Sequence, residues 1–247
     1  MAGALKPKIL VTRPQPGADQ TASRLLTRGF EPLVLPFTEM SPLAHQLDDA
    51  VVHNATAVVV TSANALRIAD LPLLQRLQHL PVYSVGDATK DAALERGLTN
   101  VVSADGDARD LIALISQKLE PAASIIYLCG QTRSDDIEKE LTMLGYLVPV
   151  IETYQTNKVS QLTYKMSELI YAHKLAGALL YSSISARIFD ELWSSDLGTN
   201  LPAIPTIFCI SERTKNALSL TLQGHAIVCA APRDDVMIET VCANFQA

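Results

Sequence analysis

The sequence predicts an α/β fold of two doubly wound parallel-sheet lobes that arose by internal duplication. Two observations carry that expectation. Short apolar runs alternate with stretches of helical periodicity, the pattern of βαβ units whose parallel strands are covered on both faces. The chain also writes itself twice. Val82-Tyr83-Ser84-Val85-Gly86-Asp87-Ala88-Thr89-Lys90, running to Gly97, has a counterpart in Ile207-Phe208-Cys209-Ile210-Ser211-Glu212-Arg213-Thr214-Lys215, running to Gly224. Each copy reads as an apolar strand, a small residue, a polar helix start with a threonine, and a helix closed by glycine.

Taken in order, Lys8 to Thr12 reads as a strand, Gly17 to Arg28 as a helix stopped by Gly29, and Pro32 to Phe37 as a second strand. A helix is expected over Leu43 to Val51 after Pro42, then a buried strand over Ala57 to Val60. The polar side chains of Thr61-Ser62-Ala63-Asn64 cap the helix that follows. The strand of the first repeat copy comes next, then an extended Asn100-Val101-Val102, and Asp105-Gly106-Asp107 caps a helix from Ala108 to Leu119. The pattern restarts at Ser124. Ile125 to Leu128 is a strand, Asp135 to Leu144 a helix stopped by Gly145, and Leu147 to Tyr154 a long extended segment.

Laid over one another without a gap, the two starts pair Ile9 with Ile125, Gln15 with Gln131, Asp19 with Asp135, Leu25 with Leu141, Gly29 with Gly145 and Val34 with Val150. Further on, Thr61-Ser62 matches Ser182-Ser183, Thr89-Lys90 matches Thr214-Lys215, and Val101 matches Val228. A whole-chain repeat of this kind outweighs any single motif. In doubly wound sheets the carboxyl ends of the strands form the binding edge. The turns beginning at Thr12, Thr61, Gly86, Ala104, Cys129, Ser182, Ser211 and Ala231 would lie there, and their helix starts favour carboxylates or phosphates.

Composition narrows the class. At 247 residues, 48% hydrophobic and 19% charged, the chain can bury a core in one or two domains, and the composition argues against extended disorder. No apolar run reaches the roughly 18 residues of a membrane span, and Met1 to Pro7 lacks the apolar core of a signal peptide, so a cytoplasmic location is expected. A net charge of -6 argues against a nucleic-acid partner but leaves room for a small anion bound locally. The 4 cysteines, Cys129, Cys209, Cys229 and Cys242, form no C-x-x-C pair and read as buried thiols. The 5 histidines, His45, His53, His79, His173 and His225, lack ligand spacing, so no metal is expected. Asp105-Gly106-Asp107-Ala108-Arg109-Asp110 lacks the later glutamate of a calcium loop and reads as a helix cap. Neither Gly-rich phosphate motif occurs, which disfavours a nucleotide cofactor. Ser182, Ser183 and Ser185 sit in no nucleophile elbow. Arg13, Arg133, Arg187 and Arg213 stand near the expected edge as cleft or surface groups. Tyr154 ends the long extended segment, where a phenol either relays a proton or simply closes a strand.

Ile9-Leu10-Val11-Thr12-Arg13-Pro14, Thr61-Ser62-Ala63-Asn64-Ala65, Val85-Gly86-Asp87-Ala88-Thr89, Glu152-Thr153-Tyr154-Gln155-Thr156, Ser182-Ser183 and Ile210-Ser211-Glu212-Arg213-Thr214 together resemble the uroporphyrinogen-III synthase family over nearly the full chain. Where that family often has glycine after the strand, this chain has Ser211. The resemblance implies flavodoxin-like lobes in the HemD-like arrangement, joined by a two-stranded linker. One lobe would hold residues 1–36 and 155–247, the other 41–149, with 37–40 and 150–154 as linker strands. It also implies a cofactor-free hydro-lyase that closes hydroxymethylbilane to uroporphyrinogen III, with inversion of ring D and loss of water. Because the bilane closes unaided to the unflipped isomer, the protein must chiefly impose a conformation. Carried over residue by residue, Tyr154 would donate the proton to the departing hydroxyl. Thr12, Arg13, Ser62, Asn64, Gly86, Thr89, Gly130, Arg133, Ser182, Ser183 and Thr214 would contact the substrate. A monomer is expected. The rival expectations are a non-catalytic two-lobed α/β binding or sensor protein, or a receiver-like module, which lacks its adjacent acidic pair at Thr12-Arg13.

Overall fold

Apolar β-branched runs flanked by glycine-stopped helices build two parallel sheets. A computed structural model describes residues 6–44, 48–133, 136–160, 162–172, 175–195 and 204–245; the expected helix start at Asp135, and His45 and His173, lie outside the described residues. The first sheet contains β1 (Lys8–Val11), β2 (Glu31–Val34), β9 (Leu175–Leu180), β10 (Thr206–Cys209) and β11 (Ala226–Val228), in the spatial order β11-β10-β9-β1-β2, paired in parallel. The second contains β3 (Thr38–Pro42), β4 (Ala55–Val60), β5 (Val82–Ser84), β6 (Val101–Ser103), β7 (Ser124–Gly130) and β8 (Val150–Lys158), in the order β3-β8-β7-β4-β5-β6. Its pairings from β8 to β6 are parallel. The chain divides into two compact units, Met1–Glu39 with Asn157–Ala247, and Met40–Thr156.

One spatial order underlies both sheets. β2-β1-β9-β10-β11 corresponds to β8-β7-β4-β5-β6, the flavodoxin-like order 2-1-3-4-5, except that the leading βαβ pair of the second sheet comes last in the chain. The residues paired at the sequence level fall on these corresponding strands. Thr61-Ser62 follows β4 and Ser182-Ser183 follows β9; Thr89 follows β5 and Thr214 follows β10.

Period-two alternation sends side chains to both faces of each sheet. In the second unit Val58, Val60, Ile126 and Leu128 pack under α3 (Ala63–Ile68), α4 (Leu71–Leu77) and α5 (Asp87–Glu95). Ala57, Val59, Ile125 and Tyr127 pack under α6 (Ala108–Lys118) and α7 (Asp136–Met143). In the first unit Leu10, Ala178, Leu180 and Ile207 face α8 (Leu162–Ala172) and α9 (Ser183–Ser194). Ile9, Val11, Leu179 and Phe208 face α1 (Gly17–Thr27) and the last helix, α12 (Asp234–Phe245). Each such aliphatic side chain taken fully from water contributes about 1.5–3 kcal/mol.

The helix ends follow the sequence in part. Gly29, Gly97 and Gly145 stand at φ +88°, +87° and +90° after α1, α5 and α7, the left-handed stop that a Cβ opposes. Asp107 caps α6 in a reciprocal box with Asp110, as the acidic stretch foretold. Three expectations fail. The extended segment does not end at Tyr154: β8 starts at Val150 and runs on to Lys158, so the tyrosine lies within the strand. Leu43 is not helical: its N–H pairs with the Thr153 carbonyl at 3.0 Å, and the helix that follows, α2 (Asp49–Asn54), starts only where Asp48 caps it. The helix of the second repeat copy is broken into α10 (Glu212–Lys215) and α11 (Leu220–Gln223). The Ser219 N–H is taken by the Asp190 carboxylate of α9 at 2.9 Å instead of a carbonyl one turn back, and Gly224 keeps a right-handed φ of -63°.

Candidate substrate-binding site

In each sheet the winding reverses between two neighbouring strands, and the carboxyl ends at that point form the natural crevice. The reversal lies between β1 and β9 in the first unit, and between β7 and β4 in the second.

In the first unit Thr12 is wholly buried, and its hydroxyl donates to the Leu179 carbonyl at 2.6 Å, locking β1 to β9. Arg13 follows it. Its guanidinium lies 4.4 Å over the Tyr181 ring and donates through Nη1 to Asp234 Oδ1 at 3.1 Å and to Thr21 Oγ1 at 3.3 Å. Asp234, in the first turn of α12, also accepts from the Tyr181 hydroxyl at 2.5 Å, Thr21 Oγ1 at 2.9 Å and Arg24 Nη1 at 2.5 Å. Burial, and then the bond to Asp234, push the Tyr181 phenol well above its ordinary range. Arg13 is thus held by an internal carboxylate. Ser182 caps α9, accepting from the Ser185 N–H at 3.1 Å while Ser185 Oγ accepts from the Ser182 N–H at 3.1 Å. Ser183 Oγ donates to the Arg213 carbonyl at 3.2 Å, and buried Thr214 shares a hydrogen bond of 3.1 Å with Ser211 Oγ.

In the second unit Ser62 caps α3, accepting from the Asn64 N–H at 3.3 Å, and Asn64 is half-buried beside it. Gly86 caps α5 through its backbone, with Thr89 buried in the first turn. Arg133 donates through Nη1 to Glu152 Oε1 at 2.8 Å and to the Gly130 carbonyl at 3.3 Å, and through Nη2 to Glu138 Oε2 at 3.1 Å. Burial alone would lower the guanidinium, but its bonds to Glu152 and Glu138 raise it, so it stays charged. Gly130 and Tyr154 are brought together. A Cβ at position 130 would lie 2.5 Å from Tyr154 Cζ and 2.8 Å from its hydroxyl oxygen. Tyr154 is half-buried, and its hydroxyl has no hydrogen-bond partner among the described residues.

The sequence reading missed several members. Tyr127 sits inside an apolar strand and reads as core, yet its hydroxyl meets Thr61 Oγ1 at 3.0 Å at the end of β4. Burial raises that phenol, against the bond to Thr61, which lowers it. Tyr181 follows β9 and Asp234 opens α12; only folding makes them partners. Cys129 and Cys209 are buried, and burial pushes both thiols up to about 12. Among the described residues no group of three or more His, Cys, Asp or Glu side chains is placed to hold a metal ion, and no helix is long and apolar enough to cross a membrane. Chemically, the second unit offers an unengaged phenol, hydroxyls and the backbone N–H groups at the start of α5, and the first unit offers hydroxyls and those at the start of α9; such helix starts suit carboxylates.

Residues 19–239 match the family described as Uroporphyrinogen-III synthase HemD. Among solved structures, the chain is similar to the uroporphyrinogen-III synthetase of Helicobacter pylori, at 16% identity over 97% of this chain and 100% of that one, with a TM-score of 0.64. It is also similar to a mutant uroporphyrinogen III synthase of the extremely thermophilic bacterium Thermus thermophilus, at 15% identity over 98% and 99%, with a TM-score of 0.56. At such identities the likeness concerns the fold. No curated protein sequence matches the chain.

Proposed function

The chain belongs to the uroporphyrinogen-III synthase HemD family, cyclising lyases of haem biosynthesis, and on that premise we propose how its residues turn hydroxymethylbilane into uroporphyrinogen III. The observation that carries the reading is the extent of the family match, which takes in strands of both units. Tyr154 donates a proton to the departing hydroxyl of the bilane. Its phenol has the freedom to do so, being half-buried and without a hydrogen-bond partner among the described residues. Thr89 and Thr214 stand near the substrate, and Thr12, Arg13, Ser62, Asn64, Gly86, Gly130, Arg133, Ser182 and Ser183 line its path. Within that set the geometry favours two kinds of contact. Ser62, Ser182 and Gly86 offer helix starts to the carboxylates of the bilane, while Arg13 and Arg133 act as charged but already paired groups that shape the edge.

The lobes are residues 1–36 with 155–247 and 41–149, joined by 37–40 and 150–154; the division into compact units at Glu39/Met40 and Thr156/Asn157 supports that reading. The enzyme works as a cytoplasmic monomer, without cofactor and without nucleic acid, in keeping with its charge of -6. A non-catalytic two-lobed binder is not favoured, because the family matched is one of enzymes. The test is to supply freshly made hydroxymethylbilane and identify the uroporphyrinogen isomer formed. Isomer III is expected; isomer I alone would refute the reading.

A further inference from the structure

The register of β8 against β7 carries one more inference, resting on the proposed role of Tyr154. Pairing runs Tyr127 with Val150, Leu128 with Ile151 and Cys129 with Glu152, and then Gly130 faces Tyr154. Thr153 is the extra residue of a β-bulge. Along a regular strand side chains alternate, so Ile151 and Tyr154 belong on opposite faces. Here both pack against one cluster, with Val58, Val60, Leu66, Ile126 and Leu128. Val150 packs on the other face with Tyr127 and Cys129, and Glu152 meets Arg133. The bulge has therefore turned the tyrosine over.

Thr153 has the bonds to hold that bulge. It is 1% exposed, and its hydroxyl donates to the Ala65 carbonyl of α3 at 2.9 Å, with the Cys129 carbonyl at 3.4 Å. Its own carbonyl accepts from Leu43 N–H at 3.0 Å, and that of Tyr154 from Gln131 N–H at 2.8 Å, so the break in the ladder leaves neither unsatisfied. Gly130 supplies the space that any side chain would take from the ring. We propose that Thr153 is a positioning residue, a buried bulge that turns Tyr154 onto the α3 face of its sheet, where Gly130 leaves room for the phenol.

Thr153→Val keeps the shape and removes the hydroxyl; Thr153→Ser keeps the hydroxyl. The valine variant is expected to lower kcat about tenfold or more, with KM little changed, because small misplacements of a reacting group are costly to rate. The serine variant should stay near the parent. In a Tyr154→Phe background the valine should lower kcat no further, since it acts through that phenol. With ring-13C tyrosine, the resonance absent from Tyr154→Phe identifies residue 154. It should move in Thr153→Val and Gly130→Ala and stay in place in Thr153→Ser. An unmoved resonance in the valine variant, or an equal loss of kcat with and without the Tyr154 hydroxyl, overturns the proposal. If Tyr154→Phe keeps full turnover, the acid role falls, and the resonance alone decides the positioning. Should Thr153→Val not fold, Thr153→Ala is read the same way.

Discussion

At the scale of single residues, two tyrosines are treated oppositely. Tyr154 keeps its hydroxyl unengaged among the described residues, whereas Tyr181 gives its hydroxyl to Asp234 within a knot that also holds Arg13, Thr21 and Arg24. Tyr154→Phe is expected to lower kcat on the order of a hundredfold and to leave the melting temperature unchanged; steady-state kinetics and calorimetry check both. Tyr181 belongs to stability. Its folded-state pKa lies above the ordinary 10.0, so its contribution is complete below that value and is lost as pH rises through the raised folded value. Urea midpoints measured from pH 8 upward should therefore fall on the alkaline side, and Tyr181→Phe should flatten that fall. Asp234→Ala, which strips an acceptor from partly buried donors, is expected to cost about 2–3 kcal/mol in the same assay. Of the residues in the candidate site, the helix cap at Ser62 was legible, because there residue type alone carries the meaning. Asp234 was not, because its partners on α1 and just after β1 and β9 are distant in sequence and meet only when α12 docks.

Among the elements, glycine is the informative residue. The sequence alignment pairs Gly97 with Gly224, yet the first holds a left-handed φ of +87° and the second a right-handed -63°. Gly29→Ala and Gly145→Ala should each cost about 1–2 kcal/mol. Gly224→Ala should be neutral or mildly stabilising, since its Cβ meets nothing nearer than the Thr221 carbonyl at 3.4 Å. Thermal unfolding of the three variants separates these outcomes. Strand and helix types were readable from periodicity, and the glycine stops after α1, α5 and α7 from their position. The broken helix at residues 216–219 was not, because its cause is a carboxylate on another helix. The bulge at Thr153 was hidden too, since register is a property of two strands and neither strand displays it alone.

For the molecule as a whole, the division of the chain is uneven. One unit is the continuous stretch Met40–Thr156, while the other is assembled from two segments on either side of it. The continuous unit holds nearly all of the six-stranded sheet, lacking only the first residues of β3 and the last of β8, with apolar clusters on both faces. A fragment of residues 40–156 is expected to unfold cooperatively on heating, with helix and strand signals in circular dichroism; a featureless melt would show that it depends on the remainder.

That unevenness sets a timetable during synthesis. β1 pairs with the central strand of the first sheet, β9, which leaves the ribosome far later than β1 itself. At ribosomal speeds the interval is on the order of ten seconds. Until then the nascent chain carries a fully apolar Ile9-Leu10-Val11 with one edge unclaimed, while the middle of the protein is being made.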